Sequence, residues 1–297
     1  MERRPFGRTG MAVSALGLGT AEIGYAHAPA AAAHDLLSAA LGAGVNIVDT
    51  AACYGNAEEL IGEVAARRPE FFLFTKCGHA AGLPLPDWDP EMLEQSIERS
   101  LRRLRTDHLD LIQLHGASEE LLRRGDVVAV LQRAKTAGRT RFIGYSGDGA
   151  AALHAVRCGA FDSLQTSVNI ADQESIDLLL PEARARGMGV IAKRPIANAA
   201  WRTGQRPASP YHHAYWDRLQ VLDYDFLRGD LGEAVATALR FTLSTPGVCT
   251  AIVGTTVPGR FAENAARLAS GPLPAERYEA IRRRWRQVAG PDWRGQG

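Results

Sequence analysis

Between Ala15 and Ala269 a short strand-like run, in most cases apolar, gives way to a helix-period segment eight times over, with no linker or change of composition to interrupt the alternation. Apolar runs of this kind suit parallel strands buried on both faces, and parallel strands need crossover connections between them. The runs are Ala15–Gly19, Val45–Thr50, Phe71–Cys77, Leu109–His115, Arg141–Ser146, Ser163–Val168, Gly189–Lys193 and Thr250–Gly254. The segments after them are Ala30–Leu41, Ala57–Ala66, Pro90–Leu104, Val127–Ala137, Ala150–Arg157, Glu174–Arg186, Leu231–Thr242 and Pro258–Ala269. The third shows the local logic best: Asp89 is placed as N-cap, Pro90 fits the first turn, and Leu93, Ile97, Leu101 and Leu104 share one face. Gly42 and Gly44, Gly138 and Gly187 stop other helices. The pattern predicts an α/β fold, a (β/α)8 or TIM barrel, preceded by a short N-terminal β-hairpin turning at Gly10. Its rival is a doubly wound sheet. The barrel reading makes residues 1–297 one domain, with a long loop at 196–229 and a loose tail at 290–297.

Composition removes several classes of function. Positive and negative charges nearly cancel, at a net +1, so neither a nucleic-acid-binding face nor an acidic tail is expected. The four cysteines, Cys53, Cys77, Cys158 and Cys249, lack CxxC spacing, and His212-His213, Cys77 and His79 have no ligand spacing, so no metal site or disulfide framework is predicted. No run reaches the roughly 18 apolar residues of a spanning helix. Arg3-Arg4 has no apolar stretch behind it to make a twin-arginine signal. A cytoplasmic protein that acts on a small molecule, without nucleic acid or membrane, is the expectation; it is read as a monomer or weak homo-oligomer.

Chemistry gathers at the predicted strand ends, where barrel reactive groups lie. In VNIVDTAACYG (Val45–Gly55) the apolar run stops at Asp49, and Tyr54 follows in the next loop. Lys76 ends the third strand and His115 the fourth. With neighbouring strands about 5 Å apart, these four side chains can converge. A phenol becomes a useful acid near neutral pH only when something lowers its pKa from about 10. An ammonium at Lys76 is placed to do so, with Asp49 pairing the lysine and His115 orienting a carbonyl oxygen. Singly, each residue has a plain structural reading: a helix cap, loop packing, a rim charge, an interior histidine. Lys76 alone also suits a Schiff-base lyase or aldolase. GLGTAE, after the first strand, lacks the third glycine of a dinucleotide fingerprint.

These stretches resemble the aldo-keto reductase superfamily nearly end to end: GRTGMAVSALGLGT, DTAACYG, TKC, LDLIQLH and VGTTVPGRFAENAA. The resemblance implies a barrel that binds NADPH, with NADH as the alternative, and a catalytic tetrad at Asp49, Tyr54, Lys76 and His115. It implies cofactor contacts at Thr20, Ser146 and Gln165, and at Lys193 and Arg194, where many members have a stacking tyrosine. It places the adenosine end at Gly254, Thr255, Thr256, Arg260, Glu263 and Asn264. Gly147 stands where an asparagine is common, and Gly254 corresponds to a lysine of some branches. At Lys193 two roles stay open, an aliphatic stem over the ring or a cation for a phosphate. A helix N-terminus near Pro258 and the fork of Arg260 suit a 2′-phosphate. Tyr25, His79, Trp88 and Trp201 are expected to wall a pocket for a carbonyl or sugar substrate, although loop aromatics also serve as anchors. The implied activity is reduction of an aldehyde or ketone, or the reverse oxidation of an alcohol or sugar. A sensor barrel that binds NADPH with little turnover is the alternative.

Overall fold

The computed structural model describes residues 1–26, 28–65 and 70–296. Strands β1 (Arg3–Pro5) and β2 (Ala12–Ser14) pair antiparallel as the N-terminal hairpin. Eight strands follow: β3 (Leu16–Gly19), β4 (Ile47–Asp49), β5 (Phe72–Cys77), β6 (Leu109–His115), β7 (Thr140–Ser146), β8 (Ser163–Ser167), β9 (Gly189–Lys193) and β10 (Thr250–Gly254). They close into a barrel in chain order, with β10 returning to β3 and every pairing parallel. The (β/α)8 barrel and its hairpin therefore form as the alternation predicts.

The two-residue period of each strand divides the chain between two environments. On β5, Phe72 and Phe74 belong to the interior cluster with Ile47, Leu111 and Ile191, while Leu73 and Cys77 pack outward against the helix layer. The hairpin plugs the lower end: Phe6 lies over Gly189 and stacks 5.5 Å from Phe74. A Cβ at residue 189 would sit 2.7 Å from the Phe6 ring, so glycine is needed for this close approach. Toward the C-terminal ends the inward positions turn polar, through Asp49, Lys76, Gln113, Ser146, Gln165 and Lys193. An apolar floor beneath a polar mouth positions the site.

Several boundaries differ from expectation. The segment expected as one helix at 174–186 is two, Glu174–Leu178 and Leu180–Ala185, because Pro181 lacks the N–H a continuous helix would use. The helix expected to Ala66 is described over Ala57–Ala65, and Ala66 lies outside the described residues. Helices Ala21–Tyr25, Glu119–Arg124 and Ala275–Val288 have no counterpart in the periodicity reading. The long connection after β9 is built around helix His213–Leu222, flanked by single turns at Pro210–His212 and Asp225–Arg228. The stretch expected as a loose tail makes contacts with the barrel's surroundings. Trp293 packs 5.3 Å from Trp285, Arg218 donates to the Arg294 carbonyl at 2.6 Å, and Arg194 donates to the Gln296 carbonyl. These three contacts, one aromatic and two to backbone carbonyls, are invisible to a composition argument; Gly297 lies outside the described residues.

Candidate active site

Register brings the polar strand ends into one ring. Lys76 stands opposite Gln113, His115 opposite Ser146, and Ser146 opposite Gln165. Asp49, from β4, is buried at the centre. Its Oδ1 accepts from Lys76 Nζ at 2.5 Å, and its Oδ2 accepts from Gln165 Nε2 at 2.9 Å and Gln113 Nε2 at 3.5 Å. Lys76 Nζ also donates to the Thr50 carbonyl at 2.8 Å. The two charges thus neutralise each other inside the barrel, with 1% and 2% of their side chains exposed.

Tyr54 lies on the loop above this pair. The Lys76 ammonium is 5.2 Å from its ring centroid, and His115 meets the ring edge-on at 5.7 Å. All four residues expected of the tetrad therefore gather at one place. The electrostatics differ from the expectation that Lys76 lowers the phenol's pKa. Burial pushes Tyr54 well above the ordinary tyrosine value, and the Asp49 carboxylate adds to the rise. Lys76 is paired with Asp49, so its charge does not offset that burial. Tyr54 is accordingly a protonated phenol at neutral pH. Burial also holds His115 well below the ordinary imidazole value, reinforced by Lys76, His79, Lys193 and Arg194, so it is neutral.

Three of the four expected pocket residues border the tetrad. The Tyr25 ring lies tilted against Tyr54 with centroids 5.7 Å apart, while His79 lies 5.5 Å from His115 and 5.6 Å from Trp88. His79 pairs with Asp87 at 2.8 Å. Trp201 does not join them. It is buried beneath the long connection in a cluster with Tyr215, Leu219, Tyr224 and Phe241, so its bulk anchors that segment. Tyr211 reaches the mouth instead, where its hydroxyl accepts from Arg194 Nε at 2.8 Å and the guanidinium lies over its ring.

The expected cofactor positions fall into two groups on the same rim. Ser146 donates to Gln165 Oε1 at 2.9 Å beside Asp49, and Thr20 donates to the Asp49 carbonyl at 3.1 Å. Lys193 is held by Asp148 at 2.8 Å, a buried carboxylate that also accepts from Thr166 and the Ser167 amide. Gly147 has no room for a side chain, since a Cβ there would meet the Tyr145 hydroxyl at 2.6 Å. At the end of β10, Thr255 and Thr256 precede helix Gly259–Leu268. Arg260 pairs with Glu263 at 2.9 Å, and buried Asn264 accepts from Arg267 at 3.1 Å. The Glu22 carboxylate fills the space that a side chain at Gly254 would take, with Oε2 1.9 Å from a Cβ built there. The donor set fits a nicotinamide dinucleotide: hydroxyl and amide groups beside the tetrad, and an arginine in the first turn of a helix on the same lip.

The family model for the aldo/keto reductase family matches residues 15–286. The chain belongs to the aldo/keto reductase family. It is an NAD(P)H-dependent oxidoreductase with the barrel that family uses. It is similar to a 6-dehydroglucose reductase of Novosphingobium aromaticivorans, 29% identical over 98% of this chain and 92% of the relative. It is 31% identical to an L-galactose dehydrogenase of Arabidopsis thaliana over 66% of each chain. In fold it resembles an aldo-keto reductase from Bacillus halodurans in its holo form, with TM-score 0.83, 23% identity and 99% of both chains covered.

Cys53, Gln113, Asp148 and Tyr211 were absent from the sequence-derived site. Two carried a signal: Cys53 stands next to Tyr54, and Tyr211 is one of the aromatics of the long loop.

Proposed function

We propose that this protein reduces a small aldehyde or ketone with NADPH, and runs the reverse oxidation of an alcohol or sugar when the cofactor is oxidised. When bound, the nicotinamide supplies a hydride to the carbonyl carbon. The chain's own residues supply position and the proton. Neutral His115 orients the substrate oxygen by hydrogen bonding, and the protonated Tyr54 phenol gives that oxygen its proton as charge develops on it. A phenol whose pKa burial has raised is a suitable donor to an alkoxide, a much stronger base. The Lys76–Asp49 pair keeps the kind of part expected of it, although its field does not offset the burial that raises the phenol. It places an ammonium over the Tyr54 ring, where it stabilises the phenolate that proton transfer leaves behind.

The observation that carries this reading is the convergence of Asp49, Tyr54, Lys76 and His115 at the polar end of a barrel of this family. Ser146 and Gln165 are placed for the carboxamide end. The Asp148–Lys193 pair favours the aliphatic stem of Lys193 as the surface under the ring, since its cation is already matched. Arg260 favours a 2′-phosphate, provided that the phosphate displaces Glu263. The hydrogen-bonding rim of Tyr25, His79 and Asp87 suits a hydroxylated carbonyl, and the sugar-directed names of two relatives point the same way.

The test is cofactor oxidation with a panel of aldehydes, ketones and aldoses, each with NADPH and with NADH. Turnover of at least one carbonyl, faster with NADPH at limiting cofactor, is expected. Tight cofactor binding with no turnover across the panel, or in reverse with sugars and alcohols, would leave the sensor reading in its place.

A further inference from the structure

Cys53 immediately precedes Tyr54, and its thiol is turned toward His115, with Sγ 3.5 Å from Nδ1. Nε2 of the same ring makes no hydrogen bond to any described residue. Ring contacts with Tyr54 at 5.7 Å and His79 at 5.5 Å set the plane of the imidazole. Neither contact decides which nitrogen carries the proton. We propose that Cys53 is a positioning residue: its S–H donates to His115 Nδ1 and holds the ring as the tautomer with its proton on Nε2, the nitrogen offered to the substrate oxygen.

A neutral imidazole has one donor and one acceptor, so the bond at Nδ1 dictates the state of Nε2. Two arrangements are available, S–H to Nδ1 or Nδ1–H to sulfur. A thiol is weak both as donor and as acceptor, and of the two arrangements only the first leaves Nε2 able to donate to a carbonyl oxygen. Both groups are neutral here, because burial raises the Cys53 thiol and lowers the His115 imidazole. A carbonyl oxygen only accepts. The tautomer selected by Cys53 therefore presents N–H to it, while the other would set lone pair against lone pair. A hydroxyl at position 53 would serve in the same way, and a methyl would not.

The direct measurement is the nitrogen-15 spectrum of histidine-labelled protein near pH 7.5, read for the tautomer of His115. Its signals among the eight histidines are assigned by their loss in His115→Asn. The wild type and Cys53→Ser should show the proton on Nε2, and Cys53→Ala a mixture of both tautomers. Losing one hydrogen bond of this kind should lower kcat about 2- to 10-fold in Cys53→Ala, with cofactor Kd unchanged and most of the rate restored in Cys53→Ser. Should Cys53→Ala not fold, Cys53→Val fills the thiol's volume without a donor. An alanine or valine variant that keeps the wild-type tautomer, or a wild type with its proton on Nδ1, overturns the proposal. The kinetic arm rests on the carbonyl-reductase reading; the spectrum needs no substrate. Wild-type protein without turnover would therefore remove that reading alone.

Discussion

Removing Lys76 should cost this protein more stability than any surface substitution, and restoring neutrality should recover most of the loss. In Lys76→Met the Asp49 carboxylate stays buried with the Gln165 bond at 2.9 Å and the longer Gln113 contact at 3.5 Å as its remaining side-chain partners. Losing one member of a buried pair costs about 3–5 kcal/mol, because the other charge is left uncompensated. Asp49→Asn should cost a similar amount, since the ammonium keeps the Thr50 carbonyl at 2.8 Å and no counter-charge. The double variant leaves no buried charge. It loses the pair's hydrogen bonds, on the order of 2 kcal/mol. The singles would then sum to about 6–10 kcal/mol against roughly 2 for the double, a coupling of at least about 4 kcal/mol. Urea unfolding followed by tryptophan fluorescence at pH 7.5 measures all four proteins. A pH series gives a second check. Without the cation, burial raises the carboxylate's pKa above its unfolded value, so stability is retained at low pH and lost as pH rises through the folded value. Lys76→Met should therefore look milder at pH 5 than at pH 8. Additive losses below about 1 kcal/mol for each single variant, with no pH difference, would refute the argument that this ion pair is buried and mutually dependent.

Three further outcomes follow from other parts of the molecule. Arg260→Ala should weaken NADPH binding about 10- to 100-fold, the range for one charged hydrogen-bond partner, and leave NADH nearly unchanged; Glu263→Gln, which frees Arg260 from its 2.9 Å pair, should strengthen NADPH. Equal effects on the two cofactors in fluorescence titrations would remove Arg260 from the phosphate site. Burial pushes Asp172 up to about 7, with Asp148 adding to the rise and Arg218 opposing it. Its contribution to stability is full below about pH 4 and lost as pH rises through 7, on the order of 1.4 kcal/mol per unit. Asp172→Asn should flatten the stability profile across that window, and an unchanged slope in urea unfolding would contradict it. A Cβ at Gly78, where φ is +138°, would meet the Trp88 ring at 2.4 Å. Gly78→Ala should displace that ring and raise substrate KM without changing cofactor Kd; an unchanged KM would separate Trp88 from the pocket.

The barrel was legible because its strands are short and each is separated from the next by a helix-length segment. The tetrad was legible for the same reason: once strand ends are known, Asp49, Lys76 and His115 have nowhere else to point. What sequence could not supply was burial and contacts between distant segments. The Asp49–Lys76 pair was expected and forms at 2.5 Å, but the depth of burial that governs the Tyr54 phenol was not visible. Trp201 was drawn into the pocket by its residue type, whereas the fold buries it with Tyr215 and Phe241, a contact that spans distant segments. Asp148 was invisible as a partner for Lys193 because the pair forms between the end of β9 and the loop after β7. Helix Ala275–Val288 carries few apolar residues among many arginines, so its buried stripe of Ile281 and Trp285 was too sparse to announce a helix.

The claim on which the account turns is that the Tyr54 hydroxyl supplies the proton. Tyr54→Phe deletes that oxygen and keeps the ring against His115 and Tyr25. With the best carbonyl from the substrate panel, kcat should fall about 100- to 10,000-fold, the usual worth of a positioned acid, while cofactor Kd stays within about twofold. Carbonyl reduction within about tenfold of the wild-type rate in a variant that binds cofactor normally would contradict it.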